Sequence, residues 1–194
     1  GVYILRQHAG EVGIRKTFTI FDRDDSKKAV KEVLTHLGFD PKTHDPARIL
    51  GIISKRKGKG LIPEEYQTED RGYMMEVVSQ VWPQYEAILK RDNALDFDDL
   101  LSKTERLLRQ HPAVRDYYQK VWQYIHIDEY QDTNRVQYEI SKMLVGAEHN
   151  ICAVGDVDQN IYSWRGAEIK NILAFEEDYP GTQIITLEEN YRST

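Results

Sequence analysis

Tyr124-Ile125-His126-Ile127-Asp128-Glu129-Tyr130-Gln131-Asp132-Thr133-Asn134 changes from apolar to acidic within one step. A short β-branched run ending in two carboxylates reads as a buried strand that delivers Asp128 and Glu129 to its C-terminal edge, where open α/β sheets hold their ligands. Outward from it, residues 121–127 read as strand, 135–145 as amphipathic helix, 150–154 as strand, 168–175 as helix and 182–187 as strand. That alternation predicts parallel βαβ units. Three apolar strands need helices on both faces, and this stretch supplies few, so the sheet reads as partial.

The chain before this region is of another kind. Residues 1–122 hold 21 Lys/Arg against 19 Asp/Glu, whereas residues 123–194 hold 5 against 13. A near-neutral half with local basic clusters can lie along a polyanion, and an acidic half that handles phosphates needs a divalent cation and a few placed cations. With 40% hydrophobic and 30% charged residues the composition is that of an ordinary globular protein. No apolar run approaches the roughly 20 residues that span a bilayer, and no basic leader precedes an apolar core, so the expectation is a cytoplasmic protein with no membrane partner. The single Cys152 cannot form an internal disulfide, which suits a reducing compartment.

Periodicity makes the first half helical. Residues 2–9 read as a helix, residues 17–21 as one short strand, and Asp22 to Ser26 as cap candidates for a helix to about Leu37 closed by Gly38. Asp45-Pro46 predicts a helix over 46–57 with Ile49, Leu50, Ile52 and Ile53 buried. Lys55-Arg56-Lys57-Gly58-Lys59-Gly60 comes next as a mobile basic loop, either solvated surface or a contact for nucleic-acid phosphates. Residues 67–91 carry helical spacing that Pro83 should kink or break near Val81. A helix opening from Asn93 with Asp96 or Asp98 as cap runs to about Arg109, and Pro112 starts the last helix. Capping alone accounts for those aspartates.

The chemistry gathers at the ends of the expected strands. Asp128 suits a hard cation such as Mg2+, and Glu129 suits a general base for an attacking water. Gln159, after the second strand, can orient water or touch a phosphate oxygen, and Arg192, after the third, can meet a γ-phosphate through its planar fork. Trp164, beside Arg165 and Gly166, offers a face on which a base can stack.

Asp128-Glu129-Tyr130-Gln131-Asp132, the run from Gly155-Asp156-Val157-Asp158-Gln159-Asn160 through Ile161-Tyr162-Ser163-Trp164-Arg165-Gly166-Ala167, and Asn190-Tyr191-Arg192-Ser193-Thr194 resemble motifs II, III and the start of IV of UvrD/Rep/PcrA-type superfamily 1 DNA helicases. The resemblance extends upstream through Leu95-Asp96-Phe97-Asp98-Asp99-Leu100-Leu101 and Ile62-Pro63-Glu64-Glu65-Tyr66 to the opening residues. It implies an α/β fold in which residues 122–194 form part of a RecA-like parallel sheet and residues 1–121 an all-α insertion of the type called 1B. It also implies ATP and Mg2+ as cofactors and single-stranded and duplex DNA as partners. In that frame Asp128 holds Mg2+, Glu129 activates water, Gln159 and Arg192 contact the γ-phosphate, and Tyr191 stacks on adenine. Tyr162, Trp164 and Arg165 engage single-stranded DNA, with Lys55, Arg56, Lys57 and Lys59 as further DNA contacts.

The family pattern is incomplete: the P-loop, the DNA motif that follows it, the adenine-contacting N-terminal motif and the second RecA-like domain are all missing from the sequence. A P-loop needs Gly-x-x-x-x-Gly-Lys-Ser/Thr to cradle phosphates, and Gly58-Lys59-Gly60 is not one. The chain therefore reads as an internal stretch of a 3′–5′ helicase, inactive as an ATPase by itself, with the polarity implied by the resemblance alone. A helicase–nuclease subunit of the RecB/AddA kind and a non-catalytic DNA-binding or partner-docking module are the alternatives.

Overall fold

Local signals start most of the helices. The computed structural model describes residues 1–66, 72–156 and 174–187. After α1 (Val2–Gln7) and β1 (Thr19–Ile20), Asp22 caps α2 (Arg23–His36) by accepting the N–H groups of Asp24 and Asp25 at 2.8 Å each. Asp45 accepts from the Ala47 N–H, and Pro46 opens α3 (Pro46–Lys57). The short α4 (Pro63–Tyr66) precedes α5 (Tyr73–Arg91).

Of the kink or break expected at Pro83, the break does not occur, and α5 runs through the proline. Proline in a helix costs ~3 kcal/mol. Against that, Trp82 and Tyr85 on either side of Pro83 are fully buried, each gaining roughly 1.5–3 kcal/mol from burial. Pro83 itself is exposed, and Ser79, whose carbonyl loses its donor, is partly exposed. Val30, Leu34, Ile49, Ile53, Val78, Val81, Trp82 and Tyr85 form the core that α2, α3 and α5 share.

A second core lies under α1, α6 (Phe97–Gln110) and α7 (Pro112–Val121), around Leu5, Phe18, Leu107, Leu108 and Tyr118. Ala94 and Leu95 do not open α6 as expected. They form β2 and pair in parallel with β1, Thr19 opposite Ala94 and Ile20 opposite Leu95. Both are buried, one in each core, and the helix starts only where Asp96 caps it. Asp96 Oδ1 accepts the Asp99 N–H at 2.7 Å, and Asp99 Oδ2 accepts the Asp96 N–H at 3.4 Å. The helical half thus holds a parallel pair where a single strand was expected.

In the second half β3 (Ile125–Ile127) crosses through α8 (Arg135–Leu144) to β4 (Ile151–Ala153), which lies parallel to it with His126 opposite Cys152. Asn134 and Gln137 close a reciprocal cap on α8, with both bonds at 3.0 Å. The strand begins at Ile125 rather than Val121, because α7 continues to Val121 and the Trp122 N–H still bonds the Tyr118 carbonyl. Residues 182–187 have no strand pairing. Ile184, Ile185 and Leu187 are 71%, 81% and 84% exposed. A strand exists through its neighbour, and among the described residues β4 is paired with β3 alone. Most of the helix expected over 168–175 lies outside the described residues, and the chain re-enters them at the short α9 (Phe175–Asp178). Its Asp178 is gripped by Tyr138 and Lys142 of α8.

The two cores meet at a buried charge cluster. Lys57 Nζ lies 2.8 Å from Asp96, 2.9 Å from Asp99 and 2.9 Å from Glu86, tying α3 to α6 and α5. Burial works to lower the lysine pKa, but Asp96, Asp99 and Glu86 overrule it and hold the ammonium well above its usual value. Burial pushes the Asp99 carboxyl up to about 6 despite Lys57, with Asp96 and Glu86 adding to the rise. Asp98 is pushed up to about 6 by burial and then by Asp96.

Both aspartates therefore hold their protons more tightly folded than unfolded. Their contribution is fully present below the unfolded pKa of about 4 and is lost as pH rises through about 6. We expect the chain to lose stability relative to its Asp99→Asn variant between about pH 4.5 and pH 7, by at most ~3 kcal/mol. Urea denaturation of both proteins at the two pH values measures this, and a constant difference would show that Asp99 is ionised throughout.

Candidate functional site

The acid pair stands where the hydropathy switch placed it. β3 ends at Ile127, and Asp128 and Glu129 come next as exposed residues on its C-terminal edge. The chain then reverses. Glu129 has φ 49° and ψ 45°, a left-handed conformation that non-glycine residues seldom adopt, and it leads into a single 3₁₀ turn (Tyr130–Asp132). Asp128 Oδ1 accepts the Glu129 N–H at 2.9 Å, which steadies the reversal. The Val154 N–H bonds the Ile127 carbonyl and the Tyr130 N–H bonds the Val154 carbonyl, at 2.8 and 2.9 Å, so the turn is stitched to the end of β4.

The polar centre of this turn is Gln131, 1% exposed. Its Nε2 donates to Glu129 Oε2 at 2.6 Å, and its Oε1 accepts the Asp156 N–H at 3.0 Å. The ends of β3 and β4 are thereby joined through one side chain. Tyr130, beneath them, is buried edge-on against Phe175, and burial pushes its phenol up to about 12.

Asp128 and Glu129 thus share one sheet edge with the start of the segment that leads to Gln159. Gln159, Tyr162, Trp164, Arg165, Tyr191 and Arg192 lie outside the described residues. The basic segment differs from expectation. Residues 55–57 form the last turn of α3 rather than a loop. Lys55 and Lys59 are exposed, whereas Lys57 is 5% exposed and spent on three carboxylates. A surface contact with DNA phosphates is therefore closed to Lys57.

The site suits a hard cation in one way only. Among the described residues no three His, Cys, Asp or Glu side chains gather to hold a metal. Mg2+ does not need such a cage, since it keeps several waters and takes one or two carboxylates together with phosphates. Asp128, exposed at the strand edge, fits as that one carboxylate. No Gly-x-x-x-x-Gly-Lys-Ser/Thr occurs in the chain, so any phosphate cradle of that kind lies elsewhere.

Sequence reasoning passed over Gln131 as a working residue, although an amide two positions after an acid pair is a signal that can be read. It also named Asp96 or Asp98 as a cap and nothing more, with no sign that Lys57 would join Asp96 and Asp99.

A carboxylate pair closing the first strand of a parallel βαβ unit, preceded by a helical insertion, fits an α/β protein of the RecA-like kind. The chain belongs to the family of the UvrD/REP helicase N-terminal domain, which matches residues 1–180. Over 193 residues it is 48% identical to the ATP-dependent DNA helicase PcrA of Bacillus subtilis (strain 168). It is 47% identical to the proteins of the same name from Staphylococcus epidermidis RP62A and Staphylococcus aureus NCTC 8325. These matches take in the whole of this chain and 26% of each relative, so the chain spans about a quarter of the length of the curated relatives it matches. No described helix is long and apolar enough to cross a membrane.

Proposed function

We propose that the chain is part of an ATP-dependent DNA helicase that couples ATP hydrolysis to 3′–5′ movement on single-stranded DNA and to duplex unwinding, in the cytoplasm of a bacterium. The observation that carries this reading is the acid pair on the β3 edge, its Glu129 bonded through Gln131 to the main chain at Asp156, in a chain whose family match spans residues 1–180. Residues 122–194 contribute part of a RecA-like domain, and residues 1–121 the insertion.

Asp128 would hold Mg2+, which would supply neutralisation of the nucleotide's phosphate charge. Glu129 takes the proton of the attacking water. Gln159 and Arg192 meet the γ-phosphate, and Tyr191 stacks on the adenine. Tyr162, Trp164 and Arg165 engage single-stranded DNA, and Lys55, Arg56 and Lys59 add phosphate contacts along the insertion.

The experiment is to titrate this 194-residue chain with single-stranded DNA over a range of salt while assaying ATP hydrolysis. Binding is expected to weaken with salt, and the slope to become shallower by about 0.7–0.9 for each of Lys55, Arg56 and Lys59 that is neutralised. Hydrolysis is expected to be absent, since no P-loop is present. An unchanged slope removes the basic residues from the DNA path, and robust turnover shows that the P-loop is dispensable.

A further inference from the structure

The bond from Gln131 to Glu129 joins two parts of the site that are otherwise separate in the chain. Glu129 is exposed, and a free glutamate side chain samples several rotamers. Here its Oε2 is held at 2.6 Å by an amide that is almost wholly buried. The same amide is held at its other end by the main chain at Asp156, 25 residues further on and three before Gln159.

The amide can face only one way. Reversed, its oxygen would oppose the Glu129 carboxylate and its NH2 would oppose the Asp156 N–H, leaving two repulsive contacts in a buried setting. The turn around it is fastened independently. The Tyr130 N–H bonds the Val154 carbonyl, the Asp132 N–H bonds the Glu129 carbonyl at 2.9 Å, and Thr133 Oγ1 donates to the Tyr130 carbonyl at 2.7 Å. With the turn held by its own backbone, the Gln131 side chain is left to set where the Glu129 carboxylate points relative to the segment after β4.

We propose that Gln131 is a positioning residue that makes the orientation of Glu129 depend on the placement of the main chain at Asp156, just past the end of β4. The Asp156 N–H fixes one end of the amide, and the other end fixes Glu129 Oε2. This rests on the reading of Glu129 as the general base. The role requires both ends of the amide at once. A side chain that kept only the acceptor would keep the segment in place and release Glu129.

Two substitutions separate the ends. Gln131→Glu keeps an acceptor for the Asp156 N–H and sets a carboxylate against Glu129, whereas Gln131→Leu removes both bonds. In the 194-residue chain, hydrogen exchange at the Asp156 amide is expected to rise about 5- to 10-fold in Gln131→Leu, as the loss of one ordinary hydrogen bond implies, and to stay near the parent value in Gln131→Glu. Unchanged exchange in Gln131→Leu overturns the tether without reference to any activity.

In a full-length protein carrying this segment, Gln131→Glu is expected to lower kcat for ATP about 10–100-fold, the usual cost of removing a group that orients a working residue. KM is expected to hold, because the ground-state complex does not use the bond. Full turnover in Gln131→Glu overturns the proposal. Glu129→Gln in the same protein tells the two failures apart. If it abolishes turnover while Gln131→Glu does not, only the role of Gln131 falls; if neither matters, the reading of Glu129 falls first. Because Gln131→Leu can unfold the turn, the decision rests on Gln131→Glu, which retains the Asp156 contact.

Discussion

Replacing Lys57 by Met is expected to cost the chain about 3–5 kcal/mol, the usual penalty for stripping one partner from a buried ion pair. Methionine keeps much of the apolar stem and removes the charge. Asp96 and Asp99, whose side chains are 7% and 4% exposed, then face each other with no cation between them. Tyr85 still donates to Asp96 Oδ2 at 2.9 Å, but one hydroxyl cannot neutralise two carboxylates. Urea denaturation at neutral pH reads the loss directly. Lys55→Ala, on the exposed side of the same turn, should stay within about 0.5 kcal/mol of the parent. Converting Asp96 and Asp99 to Asn alongside Lys57→Met should recover much of the loss, since of the three carboxylates only Glu86 then keeps its charge, and it is 27% exposed to water. A loss of under about 1 kcal/mol for Lys57→Met, the size expected of a surface pair, would refute the buried cluster.

Glu129→Gln is the second large effect, and it is kinetic. In a full-length protein carrying this segment, turnover of ATP is expected to fall about 10²- to 10⁴-fold, the usual contribution of a positioned general base. The fold should be indifferent, because a glutamine at 129 can still offer its carbonyl oxygen to Gln131 Nε2. Nucleotide affinity should be retained, because Asp128 is untouched. Single-turnover hydrolysis together with equilibrium binding of a fluorescent ATP analogue separates these terms. Equal turnover in the two proteins would remove Glu129 from the proton path. A loss of binding equal to the loss of turnover would place it in ground-state contact instead.

Features that depend on residues within one turn of each other were legible in the sequence. Asp22, Asp45 and Asp96, each among the caps expected, cap the helices that begin after them through bonds to residues two or three positions on. The acid pair was equally legible, because a strand's exit is written in its own hydropathy. Features that depend on distant partners were not. Lys57 looked like one cation in a basic run, and its partner Asp96 lies 39 residues away. Residues 182–187 carry a strand's composition, but composition does not supply a neighbouring strand. Pro83 obeyed its local rule in isolation and was overruled by the aromatic packing on both sides of it. At the site, the acid pair could be read and the Gln131 bridge could not, because it spans 25 residues.

On the proposed role of Glu129 as general base, its left-handed backbone sets chemistry and folding at odds at a single position. Holding a non-glycine residue there costs on the order of 1–3 kcal/mol. Glycine is free of that strain and asparagine bears it more easily. Selected for stability alone, position 129 would drift to glycine and lose the carboxylate; selected for turnover, it must keep the strained glutamate. Among lineages of this chain, glycine at 129 would therefore be the mark of a copy that has kept its fold and given up hydrolysis.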